Sequence, residues 1–185
     1  MLCCLPCELR VADAALQVGI YNSESTFSSY NTKENKVGYA QRDALLRAMP
    51  PAHLDFLRNM EHVHCCELPP GSQGAPLADG SGEREPAAWL IAVHAGLRHD
   101  RTVEDQLSAL SKKDASHMFV NQLSDREKVL KPPPELAARE TLLVSGHHSH
   151  LRMERWRLVI DSGGGIGNRP ITAVVFPGRV QVKSD

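Results

Sequence analysis

Apolar residues along the chain fall into short continuous runs and into helix-spaced sets. The clearest run is Trp89-Leu-Ile-Ala-Val93, which leads into His94, Ala95 and Gly96, with a charged loop after Leu97. A short apolar run bounded by turn signals predicts a strand buried on both faces. Thr141-Leu-Leu-Val-Ser145 has the same build and leads through Gly146 into His147. Between the two, Thr102-Val-Glu-Asp105 forms a capping box with Asp105 in place of the usual Glu or Gln. The helix it opens runs to about Lys113 and buries Val103, Leu107 and Leu110. Lys131-Pro-Pro-Pro134 breaks the chain, and Pro134 or Glu135 starts a short helix through Arg139. The two runs are therefore expected to be neighbouring parallel strands joined by a helical crossover.

The flanking sequence predicts the rest. Ile20 to Gly38 is rich in Ser, Asn and Thr and reads as a loop carrying Tyr21, Phe27 and Tyr30. Arg42 to Met49 places Leu45, Leu46 and Met49 on one helix face, and Pro50 stops it. Pro51 then fits the first turn of a helix whose apolar positions are Leu54, Phe56, Leu57 and Met60. Glu61 to Leu68 predicts a strand in which Val63 and Cys65 alternate with His62 and His64. Pro69 to Pro86 offers almost nothing apolar to bury, so a weakly ordered loop, dispensable for folding, is expected there. Arg152 to Asp161 alternates and then turns apolar, Ser162-Gly-Gly-Gly165 is a turn, and Ile171 to Phe176 is a further strand. Pro177-Gly178 would make a hairpin into Val180 and Val182. Met1 to Val18 lacks the basic start and long apolar core of a signal peptide and reads as a short solvated lead-in.

Length and charge narrow the function classes. At 185 residues the chain can bury a real core. A formal net charge of −1 supplies no basic field, which argues against a nucleic-acid partner. No apolar run approaches the ~20 residues of a membrane span. The 5 cysteines lie in two clumps, Cys3, Cys4, Cys7 and Cys65, Cys66, without a disulfide-framework spacing. That pattern favours a reducing compartment, the cytoplasm or nucleus.

The candidate chemistry is at the ends of the two runs. In open α/β sheets ligands bind beyond the carboxyl ends of the strands, where His94 and His147 would both lie. A single histidine at a strand end is ordinarily structural or surface. Two that meet at one edge form a better candidate, because neutral imidazole is the commonest side-chain metal ligand. Their facing nitrogens are expected within roughly 4.5 Å of each other, as two bonds of about 2.0–2.2 Å to one ion require.

Val93-His-Ala-Gly-Leu97, Ser145-Gly-His-His148 and Leu158-Val-Ile-Asp-Ser-Gly-Gly-Gly165 resemble the C-terminal motifs of the calcineurin-like metallophosphoesterases. Within these they are most similar to the phosphoprotein phosphatase group, and there to the plant Rhizobiales-like phosphatases. Ile20-Tyr21, Ser25-Thr-Phe27, Phe56-Leu57, Asn59-Met60 and Val63-His64 add to the likeness, which runs from about Gly19 to about Pro177. The resemblance implies an α/β fold, the C-terminal part of a four-layer α/β/β/α sandwich with mixed sheets. It also implies hydrolysis of phosphate monoesters, protein phosphotyrosine in this branch, by a water activated between two divalent ions, Mn, Fe or Zn. Carried over by motif, His94 and His147 would each ligate the second metal, and Asp161 with the glycines after it would shape the wall beneath. His148 and His150 match no ligand position and are expected in solvated or supporting places.

The family's three N-terminal motifs, Gly-Asp-x-His-Gly, Gly-Asp-x-x-Asp-Arg-Gly and Gly-Asn-His-Asp or Glu, do not occur. Asp13 and Asp79 lack the following His, and Asn59 is followed by Met60. The resemblance therefore covers a C-terminal half, with residues 1–18 as unmatched lead-in, and implies at most one weakly bound ion and an inactive chain. Two other classes compete. One is a small zinc module using His62, His64, Cys65 and Cys66 with Gly146-His-His148, although adjacent pairs lack structural-zinc spacing. The other is a non-catalytic interaction protein that keeps a phosphatase surface without its chemistry.

Overall fold

The computed structural model describes residues 23–32, 39–72, 86–113, 123, 125–163, 168–176 and 179–183. The expectations for residues 1–18, for most of the Pro69–Pro86 loop and for Pro177-Gly178 lie outside them. The chain divides after Met60 into two compact units.

The first unit is helical, with α1 Ser23–Ser29, α2 Tyr39–Ala48 and α3 Pro51–Asn59. The stretch expected as a polar loop thus contains α1. Phe27 lies on α1 and Tyr30 in the turn that follows it, despite the Ser-rich composition. They pack against buried Leu45, Met49 and Leu57, with Leu54 beside them. Pro51 opens α3 at its first turn, where a missing N–H costs nothing. The expected face of α3 is narrower than the sequence suggests. Leu54 and Leu57 turn inward, whereas Phe56 is 68% exposed.

The second unit is built on a five-stranded mixed sheet in the order β1-β2-β3-β5-β4. Its strands are β1 Val63–Glu67, β2 Trp89–Val93, β3 Thr141–Ser145, β4 Leu151–Glu154 and β5 Arg157–Ile160. β2, β3 and β5 run parallel side by side, and β1 and β4 are antiparallel edges. The crossover from β2 to β3 contains α4 Val103–Ser111 and α5 Glu135–Ala138. α4 starts where the capping pattern places it, the Thr102 hydroxyl oxygen accepting from the Asp105 amide at 3.2 Å.

Alternation along the strands sorts the core into two faces. Ile91 and Leu143 face α4 and α5 in a cluster with Ala95, Leu97, Val103, Leu110, Val129 and Leu136. Leu90, Leu142, Val144 and Leu158 face the other way, against Trp156, Val174 and Phe176. Val174 belongs to β6 Ile171–Val175, which pairs with β7 Arg179–Lys183 as a separate antiparallel ribbon. The second unit is therefore α/β, with α4 and α5 on one side of a mixed sheet and a small ribbon on the other.

Two expectations need correction. β3 is buried along its whole length, but Trp89 at the start of β2 is 45% exposed, because β2 is covered only toward its middle. Arg152 to Asp161 is not one strand but a hairpin, with Arg155 and Trp156 between Glu154 and its partner Arg157. A two-residue turn ordinarily announces itself with Gly or Asn, and neither is present. Among the described residues no helix is long and apolar enough to cross a membrane.

Candidate functional site

Three parallel strands end at one edge, and a polar side chain follows each: His94 after β2, His147 after β3 and Asp161 after β5. The ladder between β2 and β3 continues past the strands, the Gly146 amide donating to the His94 carbonyl at 2.8 Å. That bond carries the register of the sheet into both histidine loops. It brings His94 Nε2 to 3.0 Å from His147 Nδ1 across 53 residues of sequence. The ring centroids are 4.6 Å apart and the planes tilt by 53°. The sequence expectation that these two imidazoles meet is met with room to spare.

The loop carrying His147 is sharply bent. His147 and Ser149 both adopt left-handed backbone, with φ of 69° and 57°. Non-glycine residues pay for that conformation, and they cluster where surroundings over-determine them. Asp161 is the chief restraint here. Its Oδ2 accepts from the Ser149 amide at 2.9 Å and its Oδ1 from the Gly163 amide at 2.8 Å. Burial raises the Asp161 carboxyl pKa, but the two amides and the nearby imidazoles more than offset that, leaving it below the usual carboxylate range.

His148, expected in a solvated or supporting place, takes the supporting one. It is 7% exposed, and its Nε2 lies 2.8 Å from the Ala95 carbonyl. A carbonyl only accepts, so Nε2 carries the proton in that bond. Burial holds the His148 pKa down, the bond to Ala95 works against that, and the charge of Arg157 adds to the lowering. The ring is thus neutral at pH 7, with Nε2–H as the tautomer. His150 is exposed, its Nδ1 2.8 Å from the His148 carbonyl oxygen. His94 is also held below the ordinary histidine value, first by burial and then by His147.

Two buried polar residues here were not read from the sequence. Gln106 on α4 is fully buried, its Oε1 accepting from the Arg98 amide at 2.7 Å and its Nε2 donating to the Arg98 carbonyl at 3.0 Å. It secures the chain after Leu97. Arg157, at the start of β5, is also fully buried. Its burial follows from the place of β5 between β3 and β4, which the spacing of its own residues does not record.

The donor set fits one ion in part. Bonds of about 2.0–2.1 Å at a tetrahedral angle put two nitrogens about 3.3 Å apart, close to the separation found here. The set does not fit a two-metal centre. Among the described residues no group of three or more His, Cys, Asp or Glu is placed to hold a metal. Nor do the residues of the competing zinc module gather. His64 Nδ1 lies 3.0 Å from Glu61 Oε2, and Cys65 and Cys66 point to opposite faces of β1.

Compared with known proteins, the chain matches no protein-family model and has no significant match among curated proteins.

Proposed function

We propose that this chain carries the C-terminal, histidine-bearing part of a calcineurin-like metallophosphoesterase, similar to the Rhizobiales-like phosphoprotein phosphatases, and that His94 and His147 supply two imidazole ligands to one divalent ion. The observation that carries the reading is the 3.0 Å approach of His94 Nε2 to His147 Nδ1 at the carboxyl edge of parallel strands. The mixed sheet, helical on one face and overlaid by a ribbon on the other, is compatible with part of a four-layer α/β/β/α sandwich. The substrate class is a phosphate monoester, with protein phosphotyrosine as the specific candidate. The ion is Mn, Fe or Zn, which imidazole suits.

Two imidazoles without a bridging carboxylate do not assemble a two-metal centre, so the chain by itself is assigned little or no turnover. What its own residues do is narrower. His94 Nε2 and His147 Nδ1 lie within one ion's reach of each other, and Asp161 keeps the His147 loop in place from below.

The test is binding of Zn²⁺ by the full chain, followed by competition with a chromophoric chelator, beside hydrolysis of p-nitrophenyl phosphate and a phosphotyrosine peptide with excess Mn²⁺. One weakly held equivalent of Zn²⁺ is expected, lost in both His94→Ala and His147→Ala, with no His147-dependent turnover. Zinc binding that survives both substitutions would overturn the metal assignment. Robust turnover abolished by His147→Ala would instead overturn the claim that the chain lacks a complete centre.

A further inference from the structure

Arg157 is at 0% exposure, and no carboxylate among the described residues is hydrogen-bonded to it. Its Nη2 donates to the Ala95 carbonyl at 3.0 Å and to the Ser145 hydroxyl oxygen at 3.3 Å. Nε and Nη1 have no hydrogen-bond partner. A buried ion with unpaired donors is costly, and apolar residues of similar volume commonly replace such groups without loss of stability. General core packing therefore gives no reason for an arginine at this position.

Its contacts supply one. Ala95 is next to His94, and Ser145 is two residues before His147. The buried His148 ring shares the same acceptor, its Nε2 lying 2.8 Å from the Ala95 carbonyl oxygen and 3.3 Å from Arg157 Nη2. Since Nε2 carries the proton, that last contact is two donors converging on one carbonyl, whose two lone pairs accept both. Gly96 makes room for the arrangement. A Cβ there would lie 2.8 Å from Arg157 Nη1 and 2.9 Å from Nη2, and the residue sits at φ +143°. The backbone beside His94 is shaped around the guanidinium.

We propose that Arg157 is the positioning residue of this site, clamping the loop after β2 to the end of β3 through Ala95 and Ser145 and so setting the spacing of His94 and His147. The clamp is a property of the fold. Only its consequence for metal affinity rests on the function proposed above. Burial lowers the Arg157 pKa to about 10, which still leaves the side chain charged, with every N–H in place at neutral pH.

The test compares the full-length wild type with Arg157→Met, Arg157→Lys and His147→Ala. Two readouts are used: Zn²⁺ affinity by chelator competition, and ¹⁵N imidazole shifts of the metal-free protein. Arg157→Met is expected to keep the wild-type far-UV spectrum and a melting temperature no lower than wild type. Its Zn²⁺ affinity should fall by about tenfold or more, the usual effect of removing a group that orients a ligand. The distinct donor and acceptor ¹⁵N signals of His94, His147 and His148 should average as the loops part. A variant with wild-type affinity and unaveraged ¹⁵N signals would make Arg157 a packing residue and overturn the proposal. If His147→Ala also leaves Zn²⁺ affinity unchanged, the metal reading has failed, and the ¹⁵N signals alone decide the clamp. If Arg157→Met does not fold, Arg157→Lys decides it by the same readouts, because it keeps the charge but its Nζ falls one atom short of the Nη2 that reaches both acceptors.

Discussion

The loops that carry His94 and His147 leave the same sheet edge from neighbouring parallel strands, yet they are held by different physics. After β2, burial does most of the holding: Ala95 and Leu97 are both at 0% exposure within the α4/α5 cluster, and Gln106 adds hydrogen bonds to the chain beyond Leu97. After β3, polar bonds do it. Asp161 restrains Ser149, His148 reaches the Ala95 carbonyl, and two non-glycine residues are kept at positive φ. One loop therefore stands or falls with the core. The other depends on a few groups, most of them titratable, and can be loosened while the core stays intact.

The largest effect that would break this contrast is expected at Leu97. Leu97→Ala removes a fully buried side chain and should cost about 2–5 kcal/mol in urea unfolding, lowering global stability. A loss below about 1 kcal/mol would mean that packing does not anchor the first loop.

A smaller and more local effect is expected at Asp161. Asp161→Asn keeps one acceptor but turns the other carboxylate oxygen into a donor facing an amide, a mismatch worth about 1–3 kcal/mol where buried. Asp161 is only half-buried, so a loss of about 1 kcal/mol is the expectation, seen first as faster hydrogen exchange at the Ser149 amide. Unchanged exchange there would remove Asp161 as the restraint.

The acid response should sharpen the comparison. His94 and His148 are held below their ordinary value of 6.5. Between that value and their folded pKa values the unfolded chain binds more protons, so stability rises with pH and is full above the ordinary value. Asp161 is also depressed, so its contribution is full above the ordinary carboxylate pKa of about 4 and is lost as pH falls through the lower folded value. A melting curve against pH should therefore decline first below pH 6.5, from the histidines, and again below about pH 4, from Asp161 together with Asp100 and Asp125, which are also depressed. Asp161→Asn should shrink the second decline and, because the Asp161 charge raises the His94 pKa, slightly deepen the first. An unchanged second decline in that variant would mean that the Asp161 carboxylate adds nothing to stability.

The smallest effect belongs to His150. It is exposed and makes a single bond to the His148 carbonyl, so His150→Ala should shift stability by no more than about 0.5 kcal/mol. A larger change would place it among the restraints of the second loop.

Much of this edge was legible in the chain. The runs ending at Val93 and Ser145 mark two buried strands, and the Thr102 cap marks the crossover that makes them parallel. Parallel neighbours end side by side, so two histidines placed just after those ends are bound to come close. The strain at His147 and Ser149 was not legible, because left-handed backbone in a non-glycine residue has no sequence signal. The first helix was hidden for a related reason. Its polar composition favours a loop, and only packing on Leu45, Met49 and Leu57 gathers Phe27 of the helix and Tyr30 just after it.

What the sequence by itself determined is what local periodicity and capping can encode: the interior strands, the helix starts at Pro51 and Thr102, and the approach of His94 to His147. What only the tertiary structure decided is which polar groups are enclosed. Arg157 looks like the surface end of an alternating stretch until β5 is inserted between β3 and β4, which buries it under the Ala95 carbonyl. His148 looks solvated until the loop doubles back beneath His94. Burial of that kind depends on which strand becomes a neighbour, and a residue's own spacing carries no record of its neighbours across the sheet.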